Sequence, residues 1–311
     1  SRLSSVPGLS FTQSGSVGQP ASVFIRGANS EHTLVLIDGI EVNDPSSTSR
    51  NFDFGGMNMS DIERIEVLRG AQSPLYGSDA IGGVVQIITK GIDKKGLSFH
   101  LGAETGRYDI FREHMSVSGR NDQGSFNLGV SRYDSKGFSA AAAAYGNSER
   151  DGIGQNLINF KGNYSVKENL KLEITARFTQ ADIDLDSSAG AGGDDPNYCA
   201  DNNHLLLAAR GEWNTRPGRW KQSIHLSYQD INREYDDPVD LLHPSDSSKG
   251  KYKARLLKLN WQNEISMSDN ADLVTGIEWQ QERAESTYAY TSAWGDGNSD
   301  FPRVSASTLS A

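Results

Sequence analysis

From Leu170 to Thr179 the chain alternates without a break between two kinds of side chain. Leu170, Leu172, Ile174, Ala176 and Phe178 fall on one face of an extended strand, and Lys171, Glu173, Thr175, Arg177 and Thr179 on the other. Successive side chains of a β-strand point to opposite sides, so this segment needs an apolar neighbour on one face and a polar one on the other. Ile224, Leu226 and Tyr228 repeat the pattern against Ser223, His225, Ser227 and Gln229. Leu257, Leu259, Trp261 and Ile265 do so against Lys258, Asn260, Gln262 and Glu264, and Leu273, Ile277 and Trp279 against Val274, Glu278 and Gln280. Leu97–Ala103, Ser125–Tyr133 and Ile158–Tyr164 follow it less strictly. The alternation lasts roughly ten residues, whereas strands of soluble domains usually run about five or six.

Connections divide by length. Those between Tyr133 and Ile158, Thr179 and Leu205, and Tyr228 and Leu256 are long and rich in Gly, Ser and Asp. Those near Arg107–Asp109, Asn121–Gly124, Lys167–Asn169, Arg216–Gly218 and Ser268–Asn270 are tight. Tight turns on one side and long loops on the other are expected of an antiparallel transmembrane barrel, and ten tilted residues suffice to cross a bilayer. Such a wall hides its hydrophobicity from averages, because half of each strand is polar. The absence of any run of about 18 apolar residues argues only against a spanning helix. A net charge of -10 argues against nucleic acid, and the single Cys199 precludes an internal disulfide. The first residues, SRLSSVPG, lack the charged and apolar regions of a signal peptide.

Upstream of Lys90–Gly96 the chain has a different character. Short β-branched runs, Ser22–Arg26, Thr33–Ile37, Ile62–Leu68 and Val84–Thr89, alternate with Gly-rich turns. They predict a small, strand-rich domain of low helix content; Asp61 could cap a helix, but the run that follows reads as a strand. Gly27, Gly39, Gly70, Gly77, Gly82 and Gly83 fall where strands must turn or backbones approach closely. Arg26, Arg64 and Arg69 with Glu63 and Glu66 offer charges for pairing in a polar lumen. The glycines do not form a nucleotide loop, since G-x-x-x-x-G-K-[ST] is absent.

Six motifs follow one another here: Pro7-Gly8, Phe24-Ile25-Arg26-Gly27, Leu34-Val35-Leu36-Ile37-Asp38-Gly39, Ile62 to Gly70 (IERIEVLRG), Leu75-Tyr76-Gly77, and Ile81 to Lys90 (IGGVVQIITK). In this order and at these spacings they resemble the plug domain of TonB-dependent outer-membrane receptors over about residues 3–91. The PG, TQ, GQ, FIRG and LVLIDG runs are most similar to the cobalamin (vitamin B12) transporters. The resemblance implies a mainly β fold, with a small mixed plug over residues 1–92 and, over residues 93–311, part of a 22-stranded antiparallel transmembrane β-barrel. About nine strands fit in the second part. It implies an active transporter of the bacterial outer membrane, for a scarce large ligand such as a corrinoid or a ferric siderophore. An energy-coupling protein, TonB, would pull on a segment expected to precede this sequence, and the inner-membrane proton gradient would supply the energy. Taken alone, plug plus about two-fifths of a barrel is expected neither to be energised nor to insert stably, because unpaired strand edges are costly in hydrocarbon.

The same resemblance assigns ligand contacts to the apical plug loops. These are Ser14, Ser16, Gln19, Pro20, Ala21 and Ser22 in the first loop, and Arg50 and Asn51 in the second, which spans Asp44–Met59 and also carries Ser46 and Asp53. The positions after TQ and GQ depart from the cobalamin pattern, and Arg50 would favour an anionic ligand such as an iron chelate. Two of the long connections are rich in acid: Asp182, Asp184, Asp186, Asp194, Asp195 and Asp201 in one, Tyr235, Asp236, Asp237, Asp240 and Asp246 in the other. Carboxylates so spaced can converge on a hard cation with six to eight oxygen ligands, although neither stretch fits an EF-hand. In the cobalamin transporters acidic groups on such loops bind Ca²⁺, which implies the same for Asp182, Asp184, Asp186, Asp194, Asp195, Tyr235, Asp236, Asp237 and Asp246. No other cofactor is expected.

Catalysis is not expected. His32, His100, His114, His204, His225 and His243 are scattered with no HExxH, and Gly-x-Ser-x-Gly is absent. Two rivals remain at this stage. A soluble lectin-like protein would bury the apolar strand faces between two sheets, and a passive porin would explain the wall but not the plug motifs.

Overall fold

A computed structural model describes residues 5–72, 77, 80–92, 95–188, 190–216, 218–268 and 270–310. Six short strands come first: β1 (Leu9–Gln13), β2 (Ala21–Ile25), β3 (Thr33–Ile37), β4 (Ile40–Glu41), β5 (Ile62–Arg69) and β6 (Gly83–Thr89). β1 and β2 form an antiparallel ribbon, and the others a sheet in the order β4-β3-β6-β5. β3 and β6 are parallel neighbours. A parallel pair is covered on both faces and so wants continuous apolar runs; all five residues of β3, TLVLI, are buried. The hairpin from β3 to β4 turns on Asp38 and Gly39, whose φ values are +50° and +81°. Two positive φ values make a tight type I′ turn, where Asp-Gly is favoured. Val23, Ile25, Val35, Ile37, Val85 and Ile87 form the core of this domain, and Leu206 and Ala208, far along the chain, pack into it. Asp61 caps no helix and sits at the entry to β5.

Ten longer strands follow: β7 (Gly96–Gly106), β8 (Ile110–Arg120), β9 (Gly124–Ser135), β10 (Ile153–Lys167), β11 (Leu170–Asp184), β12 (Cys199–Arg216), β13 (Trp220–Asp237), β14 (Ser247–Ser268), β15 (Ala271–Thr291) and β16 (Gly297–Ser310). They form one antiparallel meander in sequence order. Among the described residues the wall thus has ten strands rather than about nine. The alternating segments account for seven of them, and β8, β12 and β16 lie outside those segments.

Exposure settles which face points where. Ile174 is 54% exposed and Leu101 85%, while Thr175 and Arg177 are below 10%. Apolar residues of the wall such as Leu101, Ile174, Leu226, Leu259 and Ile277 look outward, and polar residues of the other face such as Ser131, Lys161 and Arg177 meet the small domain, the reverse of a soluble sandwich. The lectin-like arrangement, with apolar faces buried between two sheets, is not the one found. A meander also fixes which end each connection occupies. Residues 107–109, 136–152, 185–198, 238–246 and 292–296 lie at one end, so the tight turn at Arg107–Asp109 belongs with the long loops. Strand parity, not loop length, decides its side.

Candidate functional site

The small domain is held against the wall by charge pairs. Lys161 of β10 meets Asp38 at 2.7 Å, Arg177 of β11 meets Asp61 at 3.1 Å, Arg233 of β13 meets Asp44 at 2.9 Å, and Lys258 of β14 meets Glu41 at 2.9 Å. Arg50 reverses the polarity and donates two hydrogen bonds of 2.7 Å to Glu282 of β15. The wall residues sit on the polar side of the alternation, which is why they reach inward. Charges taken from water need such partners. Neutral contacts add to them: Gln229 donates to the Asn43 carbonyl at 3.1 Å, Gln155 to that of Gly56, and Ser60 to Ser131 Oγ at 2.9 Å. The charges nominated from the sequence act differently. Arg64 pairs with its strand neighbours Glu63 and Glu66 in the open, and Arg69 donates to the Pro7 carbonyl at 2.7 Å.

Among the motif residues, Arg26 and Gly27 form a left-handed turn, with φ values of +51° and +78°, and the Arg26 amide donates to the Gly8 carbonyl. Gly70, Gly77 and Gly83 also have positive φ. At Gly82 a Cβ would lie 2.9 Å from that of Ala28. Tyr76 lies outside the described residues.

The two apical loops meet the long-loop end of the wall. Ser16 Oγ donates to the Asp151 carbonyl at 2.7 Å and the Gln19 amide to that of Asp184 at 2.8 Å. Both side chains are therefore spent on the wall. Ser14 hydrogen-bonds through its backbone to Pro20. Pro20, Ala21, Ser22, Asn51 and Asp53 line a cavity of about 300 Å³ between loops and wall, with Arg177, His204, Arg233 and Tyr235 opposite. Asp53 accepts from the Ala21 and Gly55 amides, and burial pushes its carboxyl up against their pull. The loops interlock closely here: a Cβ on Gly55 would fall 2.0 Å from the Gln19 carbonyl oxygen. Of the assigned ligand residues, four face the cavity, while Ser14, Ser16, Gln19 and Arg50 do not line it.

The acidic groups separate into two clusters. Glu149, Asp151 and Asp186 bring one carboxylate oxygen each within 4.8 Å of one another, as do the ligating atoms of Asp195, Asp240 and His243. Only Asp186 and Asp195 of the nine sequence-assigned metal residues enter these clusters, and they enter different ones. Asp184 accepts from the Gly152 amide, Asp194 from those of Ser148 and Glu149. Asp236 pairs with Lys249 at 3.1 Å and Asp237 accepts from Ser248. Asp182 lies opposite Asp201 across β11 and β12, Tyr235 lines the cavity, and the Asp246 amide bonds the His243 carbonyl. Glu149 and Asp151 stand in a third long connection, apart in sequence from the two acidic loops, and only folding brings it to Asp186. Desolvation first, then neighbouring carboxylates, raise both to about 7. One oxygen on each of Glu149, Asp151 and Asp186 is buried without a hydrogen-bond partner, an all-oxygen cradle that suits a hard cation.

A curved wall, apolar outside and polar inside, with a folded domain tied to its inner face, defines a plugged membrane barrel. Comparison with known proteins agrees. Residues 2–84 match the family described as the TonB-dependent receptor plug domain. The vitamin B12 transporter BtuB of Photobacterium profundum is 29% identical over 286 residues, 92% of this chain and 44% of that protein. The copper transporter OprC superposes with a TM-score of 0.74 at 16% identity, over 97% of this chain and 46% of its own. The ferric citrate transporter FecA in its unliganded form gives 0.70 at 17%, over 99% and 49%. Residues 2–84 therefore carry a TonB-dependent receptor plug domain, and the chain as a whole has the fold of the plug and barrel wall of these outer-membrane transporters. It spans less than half the length of the curated relative it matches.

Proposed function

We propose that the protein is an active transporter that admits a scarce, large ligand through the outer membrane, gated by the plug and driven by the energy-coupling protein TonB. The carrying observation is that the plug is fixed to the wall mainly by charge pairs and polar hydrogen bonds, with apolar contact confined to a small patch at Leu206 and Ala208. Such contacts can be exchanged for water when the plug is pulled, at far smaller cost than exposing a hydrophobic seam. A passive porin has no use for them. No catalytic step is part of this reading.

Of the two ligand classes, a corrinoid is favoured. Arg50, the residue that argued for an anionic chelate, is neutralised by Glu282, and the curated relative is a vitamin B12 transporter. Pro20, Ala21, Ser22 and Asn51 would meet the ligand from the plug side. Ca²⁺ is proposed at Glu149, Asp151 and Asp186, whose unpartnered oxygens it would satisfy, ordering the loops that receive the ligand. Uptake of labelled cobalamin by cells carrying only this receptor tests the reading. Uptake should require both TonB and the proton gradient; uptake that survives loss of TonB would overturn the active mechanism, and transport of ferric chelate alone would overturn the corrinoid choice.

A further inference from the structure

The second cluster differs from the first in the kind of atom it offers. Asp195 belongs to the loop of residues 185–198, and Asp240 and His243 to that of 238–246, so the cluster bridges two loops. His243 Nε2 lies 3.3 Å from the Gly192 carbonyl oxygen. A carbonyl only accepts, so Nε2 donates, which leaves Nδ1 as the ring atom that can offer a lone pair to a metal ion. That nitrogen stands 3.5 Å from Asp195 Oδ2 and 3.6 Å from Asp240 Oδ1 and has no hydrogen-bond partner. One potential ligand atom from each of Asp195, Asp240 and His243 thus lies within 4.8 Å of the other two.

Burial makes the arrangement costly if left alone. The Asp195 side chain is 1% exposed, and its Oδ1 has no partner. Asp237, with its own unpartnered Oδ1, interacts electrostatically with Asp195, Asp240 and His243. A tetrahedral ion with bonds of about 2.0–2.1 Å separates its ligands by about 3.4 Å, close to the spacings around Nδ1. Imidazole nitrogen with carboxylates selects Zn²⁺ and similar transition ions, whereas Ca²⁺ takes oxygen. The Gly192 carbonyl supplies the outer hydrogen bond that fixes the ring of a metal-bound histidine.

We propose that Asp195, Asp240 and His243 form a binding site for a divalent transition-metal ion of the zinc class, which clips the two loops together. The site is separate from the all-oxygen cradle at Glu149, Asp151 and Asp186, and it holds whichever ligand the receptor transports.

Calorimetric titration of the purified, chelator-stripped full-length protein with zinc and calcium chlorides tests this. Zinc should bind saturably and excess calcium should not displace it. His243→Gln should weaken zinc at least about tenfold, while Asp186→Asn leaves it unchanged. In a Cys199→Ser background, His243→Cys should keep the site and give Co²⁺ a thiolate charge-transfer band, which guards against a folding defect in the glutamine variant. Unchanged zinc affinity in His243→Gln, ready displacement by calcium, or no zinc binding by the unaltered protein would each overturn the proposal. The last result would leave His243 as a structural neighbour of the two aspartates.

Discussion

Lys161 Nζ, on the polar side of β10, lies 2.7 Å from Oδ1 of Asp38, a turn carboxylate only 2% exposed. The same carboxylate accepts from Thr89, through Oγ1 at 2.5 Å and the amide at 3.1 Å, so one side chain joins the plug sheet to the wall. Removing one member of a buried pair strands the other. Lys161→Met should therefore destabilise plug docking by about 3 kcal/mol, and the double variant with Asp38→Asn by clearly less than the two single changes together. Denaturant unfolding of the four proteins gives the coupling; simple additivity would show that the pair does not bind plug to wall.

Much of this geometry was legible in the sequence, and the reason is periodicity. The polar partners of Leu172, Ile174 and Phe178 had to be Glu173, Thr175 and Arg177, and Arg177 does face inward to Asp61. Which plug acid each wall base would meet was not legible, because the pairs join residues 116 to 217 positions apart and register between separate sheets leaves no local trace. The metal clusters failed for the same reason. Counting aspartates along one loop found Asp186 and Asp195 but assigned them to one site, since His243 and Glu149 reach them only through neighbouring loops. Ser16 and Gln19 sit at the apex, where the resemblance expects ligand contacts, and the donation of each to a wall carbonyl leaves no local trace in the sequence either.

Arg50 and Glu282 make a two-pronged contact that pins the second apical loop to β15. The Arg50 backbone is itself in the left-handed region, with φ of +48°, so the loop is held in a conformation it does not prefer. Glu282→Ala should release it. Limited proteolysis should cut within residues 44–59 several times faster than in the unaltered protein, and the exchange of Arg50→Glu with Glu282→Arg should recover part of the protection. Equal cutting rates would mean that the loop is held by its other contacts.

The acidic cradle predicts a pH response whose sign is fixed. Glu149 and Asp151 titrate near 7 in the fold, against about 4 in an unfolded chain. A carboxyl raised in this way lends its full stability below the unfolded value and loses it as pH climbs through the folded one. In metal-free buffer the loops of residues 136–152 and 185–198 should be best protected from hydrogen exchange near pH 4 and open progressively toward pH 8. Calcium should reverse the opening at pH 8 and have little effect at pH 4, because binding must displace protons. Protection that rises with pH in the absence of metal would contradict the cradle.

The outward face of β11 gives the most direct check on where the wall resides. Ile174 is 54% exposed on the apolar side, and its neighbour Glu173 points to the polar one. In water, Ile174→Arg would be nearly neutral, or even favourable to solubility. In a bilayer an arginine on the lipid face costs roughly 2–4 kcal/mol at the midplane and less toward either surface. Ile174→Arg in the full-length receptor should therefore cost about 2 kcal/mol when folding is followed in phospholipid vesicles, whereas Glu173→Gln should change it by less than about 1 kcal/mol. The contrast matters more than either value, since two adjacent residues of one strand differ only in the solvent they face. Equal, small effects at both positions would place water rather than lipid outside β11.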